Sequence, residues 1–242
     1  MNPPRSNPPA LASAWLLGGL CVGTFLGGCG VGASTDREAS SGSVRAADLF
    51  SPATASRLMA DDAGRTQRRR ASLLEAGPAW RVVIGHVTAK GRTPDPHPAR
   101  TLDFEPGEGG AVDLRTLIDH RRGTLVRFSP PLRIMPGELV AGRPHQTTTN
   151  VDAFNLDAPD RRVGQGTGEA NARLLETEAG QSRVECFMTF KVAAVRVEQR
   201  RTYDLAMEPS GPRVVRESEV LRVRVGPLPI MSESYVWTSQ TP

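Results

Sequence analysis

The stretch Leu221-Arg222-Val223-Arg224-Val225 decides the fold. Its apolar and charged residues alternate with period two, so Leu221, Val223 and Val225 share one face and Arg222 and Arg224 share the other. One dry face and one wet face mark a strand of an antiparallel sheet. Working outward, Val195-Arg196-Val197-Glu198 repeats the scheme, and Val184, Cys186, Met188 and Phe190 share a face. The pattern predicts strands over 169–177, 183–197, 201–207, 214–225 and 232–238. Glu178-Ala179-Gly180, Glu208-Pro209-Ser210-Gly211 and Gly226-Pro227 supply turns between them. Further strands are predicted over 80–88, 101–105, 124–128 and 146–156. A sheet with one dry face must cover it with a helix, with a second sheet, or by curling on itself. The expected fold is mainly β within the α+β class. It is an antiparallel curled sheet or half-barrel over 79–242 with a short helical N-terminal segment.

Residues 47–78 read as a helical or loop lead-in. Residues 66–76 hold helix formers and stop at Gly77-Pro78, a normal helix end. Asp113 is placed to cap a short helix over 114–120 that carries Leu114, Leu117 and Ile118 on one side. Arg65, Arg68, Arg69 and Arg70 form a basic knot, read as a solvated helix face, with anionic lipid headgroups as its alternative partner. Gly164-Gln165-Gly166-Thr167-Gly168 lacks the Lys-Ser/Thr of a phosphate-binding loop. It reads as a hairpin connection between two strands.

The chain has 242 residues and a formal net charge of +4. Only Lys90 and Lys191 are lysines; every other basic residue is arginine. Arginines and acids are interspersed along the strands, which suits a solvated surface and argues against a nucleic-acid partner. Of the three cysteines, Cys186 shares a face with Val184, Met188 and Phe190 and reads as a small core hydrophobe. His86 falls within a strand, and His97, His120 and His145 show no tight ligand spacing; no metal and no cofactor are expected. There is no Gly-x-Ser-x-Gly elbow, and the paired acids Asp61-Asp62 and Glu176 with Glu178 look solvated. No catalytic residue is assigned. A hydrolase is the least favoured reading, kept because a triad is set by tertiary placement rather than sequence order.

An apolar run beginning near Pro9 ends at Leu26-Gly27-Gly28-Cys29. This stretch resembles a bacterial lipobox, the signal cut before a cysteine that receives lipid. The resemblance implies a signal peptide over 1–28, an acylated Cys29 and a flexible tether over 29–46. More than one acyl chain gives stable anchoring. It further implies a cell-envelope protein anchored to a membrane with its body in the periplasm. Gly30, where an Asp would favour inner-membrane retention, points to the outer membrane. Arg127-Phe-Ser-Pro-Pro-Leu-Arg-Ile-Met-Pro-Gly-Glu-Leu139 and the strands after it, 127–238 in all, are similar to periplasmic β-meander and half-barrel domains of unknown function. No functional residue carries over from that likeness.

The expected function is a non-catalytic envelope lipoprotein whose curled sheet binds an apolar ligand or lipid. Met188, Phe190, Leu205, Leu221, Tyr235 and Trp237 are the expected ligand-facing residues, with Val184, Val195 and Val223 beside them. The same residues read equally well as a filled core. The alternative is a structural lipoprotein that docks another envelope protein.

Overall fold

The computed structural model describes residues 42–61, 65–75, 77–87, 98–176 and 181–239. The lipobox with Cys29, the tether as far as residue 41, His97 and the turn at 178–180 lie outside the described residues. The first elements are β1 (Ser43–Arg45), α1 (Ala46–Leu49), α2 (Pro52–Ala55), β2 (Leu58–Ala60), β3 (Thr66–Leu73), β4 (Trp80–Val87), β5 (Arg100–Pro106) and β6 (Val112–Asp119). Then come β7 (Thr124–Met135), β8 (Glu138–Val140), β9 (His145–Asn155), β10 (Ala158–Glu176), β11 (Gln181–Val192), β12 (Val195–Glu208), β13 (Gly211–Val225) and β14 (Leu228–Thr238).

The fold is mainly β and antiparallel, as the alternation requires. Twelve strands close into one barrel in the order β10-β11-β12-β13-β14-β2-β3-β4-β5-β6-β7-β9, with β9 pairing back onto β10. Closure corrects the half-barrel. It depends on β2 and β3, which come from the lead-in expected to be helical or loop; among its described residues only α1 and α2, four residues each, are helix. Among the described residues the β14–β2 seam is a single pair, Val236 with Ala60. β1 pairs separately with β8, so residues 43–45, inside the expected tether, form a strand. Residues 114–120 also fall in a strand. A bulge between Leu114 and Thr116 lets Leu114 and Leu117, three apart, both face inward. The predicted strand 183–197 is two strands, broken at Ala193, whose φ of 50° makes the turn.

The glycine-rich stretch is not a hairpin connection. It lies inside β10, where Gly164, Gly166 and Gly168 pair with Ala153, Val151 and Thr149 of β9. Glycine inside a strand marks a tight bend or a close backbone approach. Both β9 and β11 crowd this segment.

The barrel interior is stacked in layers. At one end Leu49 and Phe50 enter the core, and Phe50 meets Tyr203 edge-on at 5.6 Å. Trp80 stacks on Phe104 in the same layer, also at 5.6 Å. The other end is bounded by the β6–β7, β11–β12 and β13–β14 turns. Outside, Arg173 and Arg200 both reach Glu185 at 2.6 Å. A lipid-facing barrel wall does not carry such charges without large cost. Among the described residues no helix is long and apolar enough to cross a membrane.

Candidate functional site

Between the two ends lies a layer of buried charge. A bulge between Asp204 and Leu205 resets β13 so that Val214, Glu217 and Glu219 all face inward. Across the barrel, β3 presents Arg69 and β5 presents Arg100; Arg57 precedes β2 and Arg201 lies on β12. Arg57 reaches Glu217 at 2.7 Å and Arg69 reaches it at 2.5 Å. Glu219 accepts from Arg69, from Arg201 at 3.2 Å and from Arg100 at 3.5 Å. Arg57 also lies over the Trp237 ring, 4.1 Å from its centroid. Burial alone would raise the Glu219 carboxyl, but Arg69, Arg201 and Arg100 hold it well below the usual carboxylate range. The basic knot is therefore not a solvated face at Arg69, which is 4% exposed.

Beyond this layer, at the end away from Phe50, is a cavity of about 230 Å³. Its apolar wall comes from β11, β12 and β13, chiefly Met188, Phe190, Val197, Leu221 and Val223. Phe190 is fixed by an edge-on contact with Phe128 at 5.8 Å. Its polar side is Arg100, Asp119, Arg122 and Thr124, from β5, β6 and the turn into β7, with Gln199 on β12. The Gln199 amide favours the ionised Glu219, yet its Nε2 lies outside hydrogen-bonding geometry and has no acceptor. Val163 and Val195 in the lining are exposed, so the cavity reaches solvent. Val225, Leu228 and Ile230 continue the exposed apolar rim.

Of the six expected ligand-facing residues, Met188, Phe190 and Leu221 line this cavity. Leu205 is fully buried in the core, Tyr235 is 2% exposed, and Trp237 lies under Arg57. The Tyr235 hydroxyl sits 3.3 Å from His86 Nδ1, and burial with nearby Glu233 pushes its pKa up to about 12. Val195 and Val223 also line the cavity, and Val184 is core. Sequence reasoning missed Arg100, Arg122 and Gln199. The charged run Asp119-His120-Arg121-Arg122-Gly123 was the available signal, but its first two residues were placed at the end of a supposed helix.

Burial pushes the Cys186 thiol up to about 12, so it is core and inert as a nucleophile. His120 Nε2 lies 2.9 Å from the Thr101 hydroxyl, and His145 is elsewhere, with its pKa lowered by burial and by Arg133. Among the described residues no three His, Cys, Asp or Glu side chains gather as a metal site. A larger hollow of about 1010 Å³ lies on the outer surface between residues 141–144 and β10–β13. Of its charged lining, Arg173 and Arg200 are both spent on Glu185, and Arg143, Glu176, Glu198 and Arg222 stand around them. Set against known proteins, the chain matches no protein family, no curated protein and no solved structure.

Proposed function

We propose that this chain is a non-catalytic binding protein that holds a small apolar or amphiphilic ligand in the mouth of its barrel. The observation that carries the reading is the solvent-reaching cavity walled by Met188, Phe190, Leu221 and Val223. An apolar hollow with a few convergent polar groups is the usual form of a small-molecule site. Its volume, about 230 Å³, exceeds the roughly 150 Å³ that suffices for benzene. A short or medium chain is therefore the expected guest.

The test is titration of the purified full chain with an environment-sensitive apolar dye, with native mass spectrometry on the same sample. The wild type binds one dye per chain. Val197→Trp fills the cavity and weakens dye binding at least tenfold while the circular dichroism spectrum is kept. A wild type that binds no dye, or a Val197→Trp protein that binds it as well, overturns the reading.

The resemblance at Leu26–Cys29 adds the proposal that the barrel is displayed from an envelope membrane by an acylated Cys29. Cells making the full chain incorporate labelled palmitate into it, and Cys29→Ala abolishes the label. Persistent labelling of Cys29→Ala rules the anchor out.

A further inference from the structure

We infer that the ligand is a single-chain amphiphile with an anionic head. The head lies under the β6–β7 turn and the chain runs along the Met188–Phe190 wall. The inference rests on the cavity reading above and deepens it.

The cavity is lined mostly by hydrocarbon, with Leu117, Val126 and Ala153 facing the β11–β13 wall, and its charged groups gather at Arg100, Asp119 and Arg122, where it continues into a smaller hollow of about 60 Å³. That hollow shares Arg100, Asp119 and Arg122 with the cavity and adds His86, Arg121 and Glu233. A ligand spanning both hollows meets hydrocarbon at one end and guanidinium groups at the other.

The charge there is unbalanced. The buried layer and the turn beside it hold six arginines, at 57, 69, 100, 121, 122 and 201. Among the described residues in this network, four carboxylates answer them, at 119, 217, 219 and 233. With histidine neutral, two positive charges are left over. Glu217 and Glu219 are each claimed by more than one arginine. Arg121 and Arg122 are partly exposed, so the surplus sits at the solvent-facing turn, where it draws an anionic guest to the mouth of the cavity.

Geometry places the surplus. Arg100 reaches Glu219 only at 3.5 Å and Glu233 only at 3.6 Å, the outer edge of hydrogen bonding. Arg121 reaches Glu233 only at 3.7 Å. Each guanidinium carries five donors in a planar fork that suits a carboxylate or phosphate. An oxyanion between Arg100, Arg121 and Arg122 gains short, charge-assisted bonds that the protein's own acids do not supply to Arg100 and Arg121. Asp119 and Glu233 line the same hollow and would attract a cation. Asp119 is already held by Arg122 at 3.0 Å, however, and Glu233 is shared by Arg100 and Arg121.

The test compares decanoate, decanol and decyltrimethylammonium as competitors of the bound dye on the full chain. Decanoate binds at least tenfold more tightly than decanol, and added salt weakens decanoate but not decanol. The double variant Arg121→Gln/Arg122→Gln loses most of that preference, read as the ratio of decanoate to decanol affinity on the same protein. Both side chains are substantially exposed, so the variant keeps its fold, and its Tm checks this. Decanol binding as well as decanoate, tighter binding of the ammonium compound, or a double variant with the preference intact each overturns the inference and leaves the cavity reading standing. Failure of all three compounds to displace the dye overturns both.

Discussion

Glu219→Gln lowers the stability of the folded protein by about 3–5 kcal/mol, the usual cost of removing one partner from a buried ion network. The Glu219 side chain is 1% exposed and faces Arg69, Arg100 and Arg201. Its loss leaves those guanidinium groups inside the barrel with Glu217 and Glu233 alone to answer them. Replacing charges on both sides, as in Arg69→Met with Glu219→Leu, recovers part of the loss because hydrocarbon needs no partner. The pH dependence has a definite sign. The folded-state pKa of Glu219 is depressed, so its contribution is complete above the ordinary glutamate value of about 4.3 and is lost as pH falls below it. Wild-type stability therefore declines on that acid limb, and Glu219→Gln has a flatter one. Urea unfolding at neutral and acid pH measures both. A Glu219→Gln protein within 1 kcal/mol of wild type, with an unchanged acid limb, would show that the network does not hold the barrel together.

The two acids at the centre of this network were legible by parity. Glu217, Glu219, Leu221 and Val223 are all odd-numbered on one strand, so the alternation that sends Leu221 inward sends both glutamates inward too. They escaped notice because acid next to arginine reads as solvated surface, the usual fate of charge. Arg69 was hidden in the same way, and its strand was mistaken for a helix because 66–76 is rich in helix formers. Tertiary pairing overrides such weak local preference. β3 is held by β4 along its whole length, from Thr66 with Val87 to Leu73 with Trp80. The strands of the last third were clear where apolar residues alternate without a break, as in Leu221, Val223 and Val225, and where turns carry Gly and Pro; the Ala193-Ala194 turn has neither, and 183–197 was read as one strand. Barrel closure was not legible. It depends on the seam between β14 and β2, the last and first barrel strands in the chain, where one residue pair among the described residues leaves no periodic trace. The cavity was half legible: periodicity picks the inward face of β11–β13, but only the packing decides which inward residues meet empty space. Met188, Phe190 and Leu221 do so, and Leu205 on the same face does not.

Gly166→Ala lowers stability by about 3 kcal/mol or more, at the upper end of overpacking costs. A methyl group at 166 would stand 1.7 Å from the Lys191 carbonyl oxygen and 2.8 Å from its carbon. Both atoms are backbone, so no rotamer change relieves the clash; the β10–β11 pair must open. Elsewhere in a strand, Gly→Ala restricts the unfolded chain and stabilises by roughly 0.4–1 kcal/mol, so the sign of the effect is itself the test. Gly168→Ala is the control. Its methyl group would meet Val151 Cγ2 at 3.0 Å and Thr149 Cγ2 at 3.4 Å, side-chain atoms that can give way. It costs about 1 kcal/mol or less. In Tm, a loss of about 3 kcal/mol corresponds to roughly 6–12 °C for a chain of this size. The damage also reaches the cavity, because Lys191 leads directly into Val192 and Ala193, which line it. Gly166→Ala thus loses dye affinity as well as stability, while Gly168→Ala keeps its affinity. Equal melting of the two variants would mean that β10 and β11 do not close on one another at this corner. The barrel would then lack the bend that brings the Phe190 wall over the Arg100 side.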